Sequence, residues 1–217
     1  MRKTLLAVML ATVALLAPAA ATAIARDPIL FVHGWSENES AWTTMISNFS
    51  REGWTREELN NWRYNTSQSN VTTASEVARK VEEIRSRTGA AKVDVIAHSM
   101  GSLNTRYYLK NLRGTEFVDD WVSMGGPNHG TSTANFCFST ACVEMRVGSS
   151  FLRALNEGDE TPGTVNYGTF WSSCDEIVNP DESVLLSGAT NNAIGCVGHI
   201  AMLSDSRVFP SVRDFVR

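Results

Sequence analysis

Residues Val93-Asp94-Val95-Ile96-Ala97 form a nearly unbroken apolar run, and Leu103, Tyr107, Tyr108 and Leu112 follow at roughly helical spacing. A run this short, apolar on both faces, is expected of a central strand in a parallel sheet covered on both sides. Between strand and helix lie only His98-Ser99-Met100-Gly101. A turn this tight pushes the serine out of the fold and crowds its neighbours. It therefore demands small residues two before and two after the serine, and Ala97 and Gly101 stand there. This feature restricts the chain to an architecture of alternating strands and helices, with a hydroxyl presented at the carboxyl edge of the sheet.

The remaining pattern agrees. Ile29-Leu30-Phe31-Val32 is a short apolar run ending at His33-Gly34, which predicts a buried strand running into a loop. Trp42, Met45, Ile46 and Phe49 predict a helix over 41–51, and Val77, Val81 and Ile84 predict another over 73–87. Thr73-x-x-Glu76 has the form of a capping box for the second, and Gly89 ends it. Further strands are expected at 60–64, 117–124, 164–171 and 193–197, with helices at 150–156 and in the tail, where Pro210 delays the start. Strands alternating with helices imply an α/β fold with a mostly parallel sheet and helices on both faces.

The first 25 residues belong to a different plan. Arg2 and Lys3 precede an apolar run from Leu5 to Leu16, then Pro18 and small residues ending Ala23-Ile24-Ala25. That order predicts a secretory signal peptide cleaved after Ala25, with Ala23 as the second choice. The apolar run is short of the ~20 residues a spanning helix needs, so no integral membrane anchor is expected. Residues 26–217 are then a single catalytic domain, with 17 basic against 23 acidic residues, and no basic cluster that would suggest nucleic acid. Cys137, Cys142, Cys174 and Cys196 all lie in this part. An even number in an exported chain predicts two disulfides with three pairings open, whereas the absence of CxxC and of finger-like His spacing argues against a metal.

A serine hydroxyl is a weak nucleophile until a base takes its proton. The turn places the Met100 N–H at a helix start, where it can stabilise an oxyanion, and the N–H of Trp35, after Gly34, is its natural partner. Of the four histidines, His33 is read as shaping the loop after the first strand, and His98 is expected to point away from the nucleophile. His129 has no strand-end acid before it after the serine. His199 remains, just past the last strand. The order serine, acid, histidine then requires an acid between Ser99 and His199. Asp94 fails on order, and five residues of strand hold it about 16 Å from Ser99. Asp175, following the strand that ends Thr169-Phe170-Trp171, is selected by placement, with Glu176 and Asp181 in reserve.

The segments Phe31 to Gly34, Val93 to Asn111, Ser172 to Asp175 with Ile177-Val178, and Val197 to Ile200 resemble the small secreted bacterial triacylglycerol lipases, minimal and essentially lid-less members of the α/β-hydrolase superfamily. Their AHSMG turn is present letter for letter at 97–101. The match runs in order through nearly all of 26–217 and is poor over 131–163. It implies a six-stranded parallel sheet, Ser99 as nucleophile, Asp175 as acid, His199 as base, and the N–H groups of Trp35 and Met100 as oxyanion hole. It also implies hydrolysis of a small ester or lipid, with no cofactor, and a monomer is expected. The bulky Trp35 and the four cysteines are departures. If the acid and base loops meet, Cys174 and Cys196 come close enough to bridge, leaving Cys137 and Cys142 to pair locally.

Overall fold

The computed structural model describes residues 26–217, so the expected signal peptide at 1–25 lies outside the described residues. Six strands form one sheet: β1 (Ile29–Val32), β2 (Leu59–Asn61), β3 (Val93–His98), β4 (Val118–Met124), β5 (Asn166–Trp171) and β6 (Thr190–Ala193), in the order β2-β1-β3-β4-β5-β6. Every pairing is parallel. The carboxyl ends of all six strands therefore point to one edge of the sheet, where the loops that carry chemistry gather.

The alternation of side chains along each strand divides the core in two. Leu30 and Val32 of β1 and Val93, Val95 and Ala97 of β3 face one layer. There they pack with Val77, Val81 and Ile84 of α2 (Asn70–Thr88) and Leu103, Tyr108 and Leu109 of α3 (Gly101–Asn111). Ile29, Phe31 and Ile96 face the other, against Met45 and Phe49 of α1 (Thr43–Arg51) and Val212 of α6 (Phe209–Phe215). A strand buried on both faces has no polar side to alternate with, which is why β1 and β3 read as continuous apolar runs.

The edges of the sheet depart from the sequence expectations. The last strand lies at Thr190–Ala193, not 193–197, and its side chains are largely exposed. An exposed edge strand is held by backbone pairing with Gly168–Trp171 and leaves no hydrophobic pattern. The opposite edge, β2, ends at Asn61 rather than 64, because Tyr64 turns inward and stacks on His33 with ring centroids 4.2 Å apart.

Helix α2 begins at Asn70, one turn before the expected capping box. Ser69 caps it by accepting from the Val71 N–H at 3.2 Å. Thr73 is buried within the helix and donates back to the Ser69 carbonyl at 3.4 Å. The Glu144 carboxylate adds a second cap from far away in sequence, accepting from the Asn70 N–H at 2.6 Å and from Ser69 Oγ at 2.6 Å. Glu144 lies on α4 (Thr140–Met145), a short helix absent from the sequence reading, which precedes α5 (Ser150–Asn156). Among the described residues, no helix is long and apolar enough to cross a membrane.

Candidate active site

Ser99 sits between β3 and α3 with φ of 53°, in the left-handed region that a side chain adopts at a cost of about 1–3 kcal/mol. The turn holds that conformation because its surroundings are tight. The Ser99 N–H donates to the Met124 carbonyl of β4 at 2.9 Å. At Gly101, a methyl group would come within 2.5 Å of the Val32 carbonyl oxygen. The requirement for a small residue two positions after the serine thus arises from the backbone of β1, against which the start of α3 packs.

The loop leaving β1 approaches the same serine. A methyl group on Gly34 would lie 2.8 Å from Ser99 Cβ, so glycine is what allows this contact. The Gly34 N–H is committed to Glu37 Oε2 at 2.6 Å. Neither the Trp35 nor the Met100 N–H donates to a protein group among the described residues. His33 is fully buried, and its Nδ1 lies 3.0 Å from the Gly34 carbonyl oxygen. Burial lowers its pKa despite that hydrogen bond, so it is a neutral ring shaping the loop.

Asp175 and His199, both buried, meet across the loops that follow β5 and β6, with Oδ2 2.8 Å from Nδ1. A carboxylate only accepts, so Nδ1 carries the proton and Nε2 is the basic nitrogen. Burial pushes the Asp175 carboxyl up. The His199 hydrogen bond and charge, with the N–H groups of Val178 and Ile177 on Oδ1 at 2.9 Å each, outweigh it and hold the group below its ordinary value. Glu176, the reserve acid, has a different place: its Oε2 accepts from the His199 backbone N–H at 3.0 Å. Asp181 begins a short 3-10 helix, and His129 pairs instead with Glu160 at 2.7 Å.

One disulfide, Cys174–Cys196, and the Ser172 hydroxyl tie these loops further. Cys174 and Cys196 form a disulfide with Cα atoms 4.8 Å apart, and Cys137 and Cys142 form another with Cα atoms 5.7 Å apart. The Ser172 hydroxyl donates to the Gly195 carbonyl at 2.9 Å and accepts from the Val197 N–H at 2.8 Å.

Ser99 and His199 border one cavity of about 360 Å³. No hydrogen bond joins Ser99 Oγ to the imidazole among the described residues. The walls are mainly apolar, from Trp35, Ile177, Val178 and Ile200 and from Ala134, Phe136 and Met145 of the poorly matched segment. That segment is therefore a wall of the site. Its Phe136 and Phe138, at 86% and 83% exposure, flank Cys137, and Phe136 and Cys137 border the cavity. Trp35 borders the cavity while remaining 39% exposed.

His98 is the clearest departure from expectation. Its ring does not point away from the site but packs against His199 with centroids 4.6 Å apart. Its Nδ1 lies 3.1 Å from Glu37 Oε2 and its Nε2 lies 3.1 Å from the His199 carbonyl oxygen. Burial raises the Glu37 carboxyl, but the His98 hydrogen bond and charge, the Gly34 N–H and the charge of His199 outweigh it and hold Glu37 below its usual range. Glu37 was absent from the sequence reading. An acid three residues beyond a loop glycine gives no pattern, because its partners come from β3 and the loop after β6.

The sequence profile of the family described as lipase (class 2) matches residues 26–195. The chain belongs to the class 2 lipase family. A triacylglycerol lipase of Pseudomonas fragi is 30% identical over 86 residues, which is 40% of this chain and 28% of that relative, so the match spans under a third of the relative's length. A Bacillus licheniformis lipase in its mature form superposes with a TM-score of 0.80 at 19% identity, covering 92% of this chain and 96% of that one. Lipase B of Aspergillus fumigatus gives 0.70 at 20% identity, covering 82% and 49%. These likenesses establish the α/β-hydrolase fold for this class 2 lipase family member, in which Ser99, Asp175 and His199 follow β3, β5 and β6 at the carboxyl edge of a six-stranded parallel sheet.

Proposed function

We propose that this protein is a secreted carboxylic-ester hydrolase of the triacylglycerol lipase or esterase type, using Ser99, Asp175 and His199. The observation that carries the reading is the buried Asp175–His199 pair, whose His199 borders the same apolar cavity as Ser99 in its strained turn.

Ser99 Oγ attacks the ester carbonyl while His199 Nε2 takes its proton. Asp175 fixes the tautomer and offsets the positive charge that develops on the imidazole. The free N–H groups of Trp35 and Met100 receive the oxyanion of the tetrahedral intermediate. Collapse breaks the bond to the alcohol, which leaves with the proton from His199. Water then attacks the acyl-enzyme, giving its proton to His199, and the second collapse releases the acid and restores Ser99. The apolar walls suit the acyl chain of a small ester or lipid. Two disulfides accord with export to an oxidising compartment, as the leader sequence suggests.

The test is Ser99→Ala measured on p-nitrophenyl esters of increasing acyl length and on emulsified triglyceride. Triad members act as a unit, so turnover should fall by up to about a millionfold with native circular dichroism. A phosphonate should label Ser99 in the parent alone. Activity of the variant within tenfold of the parent would remove Ser99 as nucleophile.

A further inference from the structure

We infer that Glu37 and His98 are positioning residues, a carboxylate–imidazolium bridge that holds the oxyanion loop and the base loop together across the nucleophile turn. The inference rests on the roles proposed above for Ser99 and His199.

The argument begins with what each atom can do. His98 faces a carboxylate oxygen of Glu37 at Nδ1 and the backbone carbonyl oxygen of His199 at Nε2, both at 3.1 Å. Carboxylate and carbonyl oxygens only accept, so satisfying both contacts requires both ring nitrogens to donate. A ring that donates from both nitrogens is cationic. The neutral ring, itself without exposure to water, would set a lone pair against a lone pair at one of these contacts. Glu37 supplies the counter-charge, and its Oε2 also accepts from the Gly34 N–H at 2.6 Å.

The connectivity gives the bridge its purpose. Gly34 precedes Trp35, whose N–H is proposed for the oxyanion hole. His98 precedes Ser99 on the turn. The His199 carbonyl belongs to the base residue. Asp175 and Glu176 grip His199 from the acid side, at Nδ1 and at the backbone N–H. Glu37–His98 grips it from the opposite side, through its carbonyl, and anchors that grip to the loop beside Ser99. Removing Glu37 leaves the buried His98 charge without its partner, and removing His98 leaves the half-buried Glu37 carboxylate without its own. The base and the oxyanion donors then lose a shared reference frame.

Two measurements test this on the whole secreted protein. In the parent labelled with 15N-histidine, His98 assigned through its own side chain should show one-bond N–H couplings at both ring nitrogens at neutral pH, and a single N–H overturns the inference. Glu37→Gln and His98→Gln, with active sites counted by phosphonate labelling, should each lower kcat on p-nitrophenyl butyrate by about 10–100-fold, as expected of a small misplacement of catalytic groups, with KM within about threefold. The double variant should lose little beyond the worse single one, because the two act as a unit. Multiplying losses, or Glu37→Gln keeping kcat within twofold, overturn the inference. Where a variant fails to fold, the spectrum of the parent decides. A parent that neither takes up phosphonate at Ser99 nor cleaves esters overturns the functional reading instead, while the two-donor spectrum is judged independently.

Discussion

The Cys174–Cys196 disulfide stands one residue before Asp175 and three before His199, so the acid and the base of the proposed triad hang from opposite ends of one covalent bridge. It closes 22 residues of separation that include all of β6, and chain entropy assigns such a loop roughly 3 kcal/mol of stabilisation. Cys174→Ser/Cys196→Ser should therefore lower thermal stability. At temperatures where the fold survives, kcat should fall more than KM rises, because the bridge aligns the acid with the base rather than holding substrate. Differential scanning calorimetry and steady-state kinetics check both halves, and an unchanged kcat would mean that Ser172 and Glu176 suffice to align the loops.

Glu144 reaches from α4 to the start of α2 and should matter for stability alone. Its carboxylate meets helix N–H and hydroxyl donors that Ser69 cannot serve by itself. Glu144→Ala should cost about 1–2 kcal/mol, the value of a good N-terminal cap, and lower Tm by roughly 2–8 °C in a chain of this size. Turnover per folded molecule should stay within twofold. A Tm equal to the parent's would show that water replaces the carboxylate without loss.

Asp94 gives a pH dependence of definite sign. It is buried at the amino end of β3, and burial first, then the charges of Asp120, Asp27 and Asp119, raise its pKa well above normal, against one hydrogen bond from the Asp120 N–H. The folded protein thus holds this proton more tightly than the unfolded chain. Asp94 opposes folding at pH values above its raised value, and the opposition fades as pH falls toward the ordinary carboxylate range. Asp94→Asn keeps the acceptor for Asp120 and should raise Tm at pH 8. Each kcal/mol recovered would appear as about 2–4 °C. The gain should shrink on acidification. A gain that does not change with pH would point to packing rather than charge.

Phe138 separates two substrate forms. It is 83% exposed beside the Cys137–Cys142 disulfide and does not border the cavity. If the protein works at lipid surfaces, Phe138→Ser removes at least about 1.5 kcal/mol of surface affinity, roughly tenfold. Hydrolysis of emulsified triglyceride should drop accordingly while a dissolved short-chain ester is cleaved within twofold of the parent. Equal losses on both substrates would place Phe138 in the cavity wall instead.

Local patterning carried the centre of the molecule. The double-sided burial of β1 and β3 forces continuous apolar runs, and the close backbone of β1 forces Gly101 after Ser99, so strand, turn and helix are all written in adjacent residues. The triad candidates followed because their order along the chain and their positions at strand ends are also one-dimensional facts. The sheet edges were misplaced for the converse reason: β2 and β6 are held by backbone pairing to a neighbour and impose little on their own side chains.

Charge partners were invisible in the chain because they are set by which loops share the carboxyl edge. Glu37 and His98 are 61 residues apart, Glu144 and Asn70 are 74 apart, and neither pair has a spacing or motif that joins it. Hydrophobic periodicity selects elements through the solvent each residue avoids, so it survives as a pattern in sequence. A buried hydrogen bond between distant loops depends on separations of about 3 Å in space, and folding alone brings those atoms together.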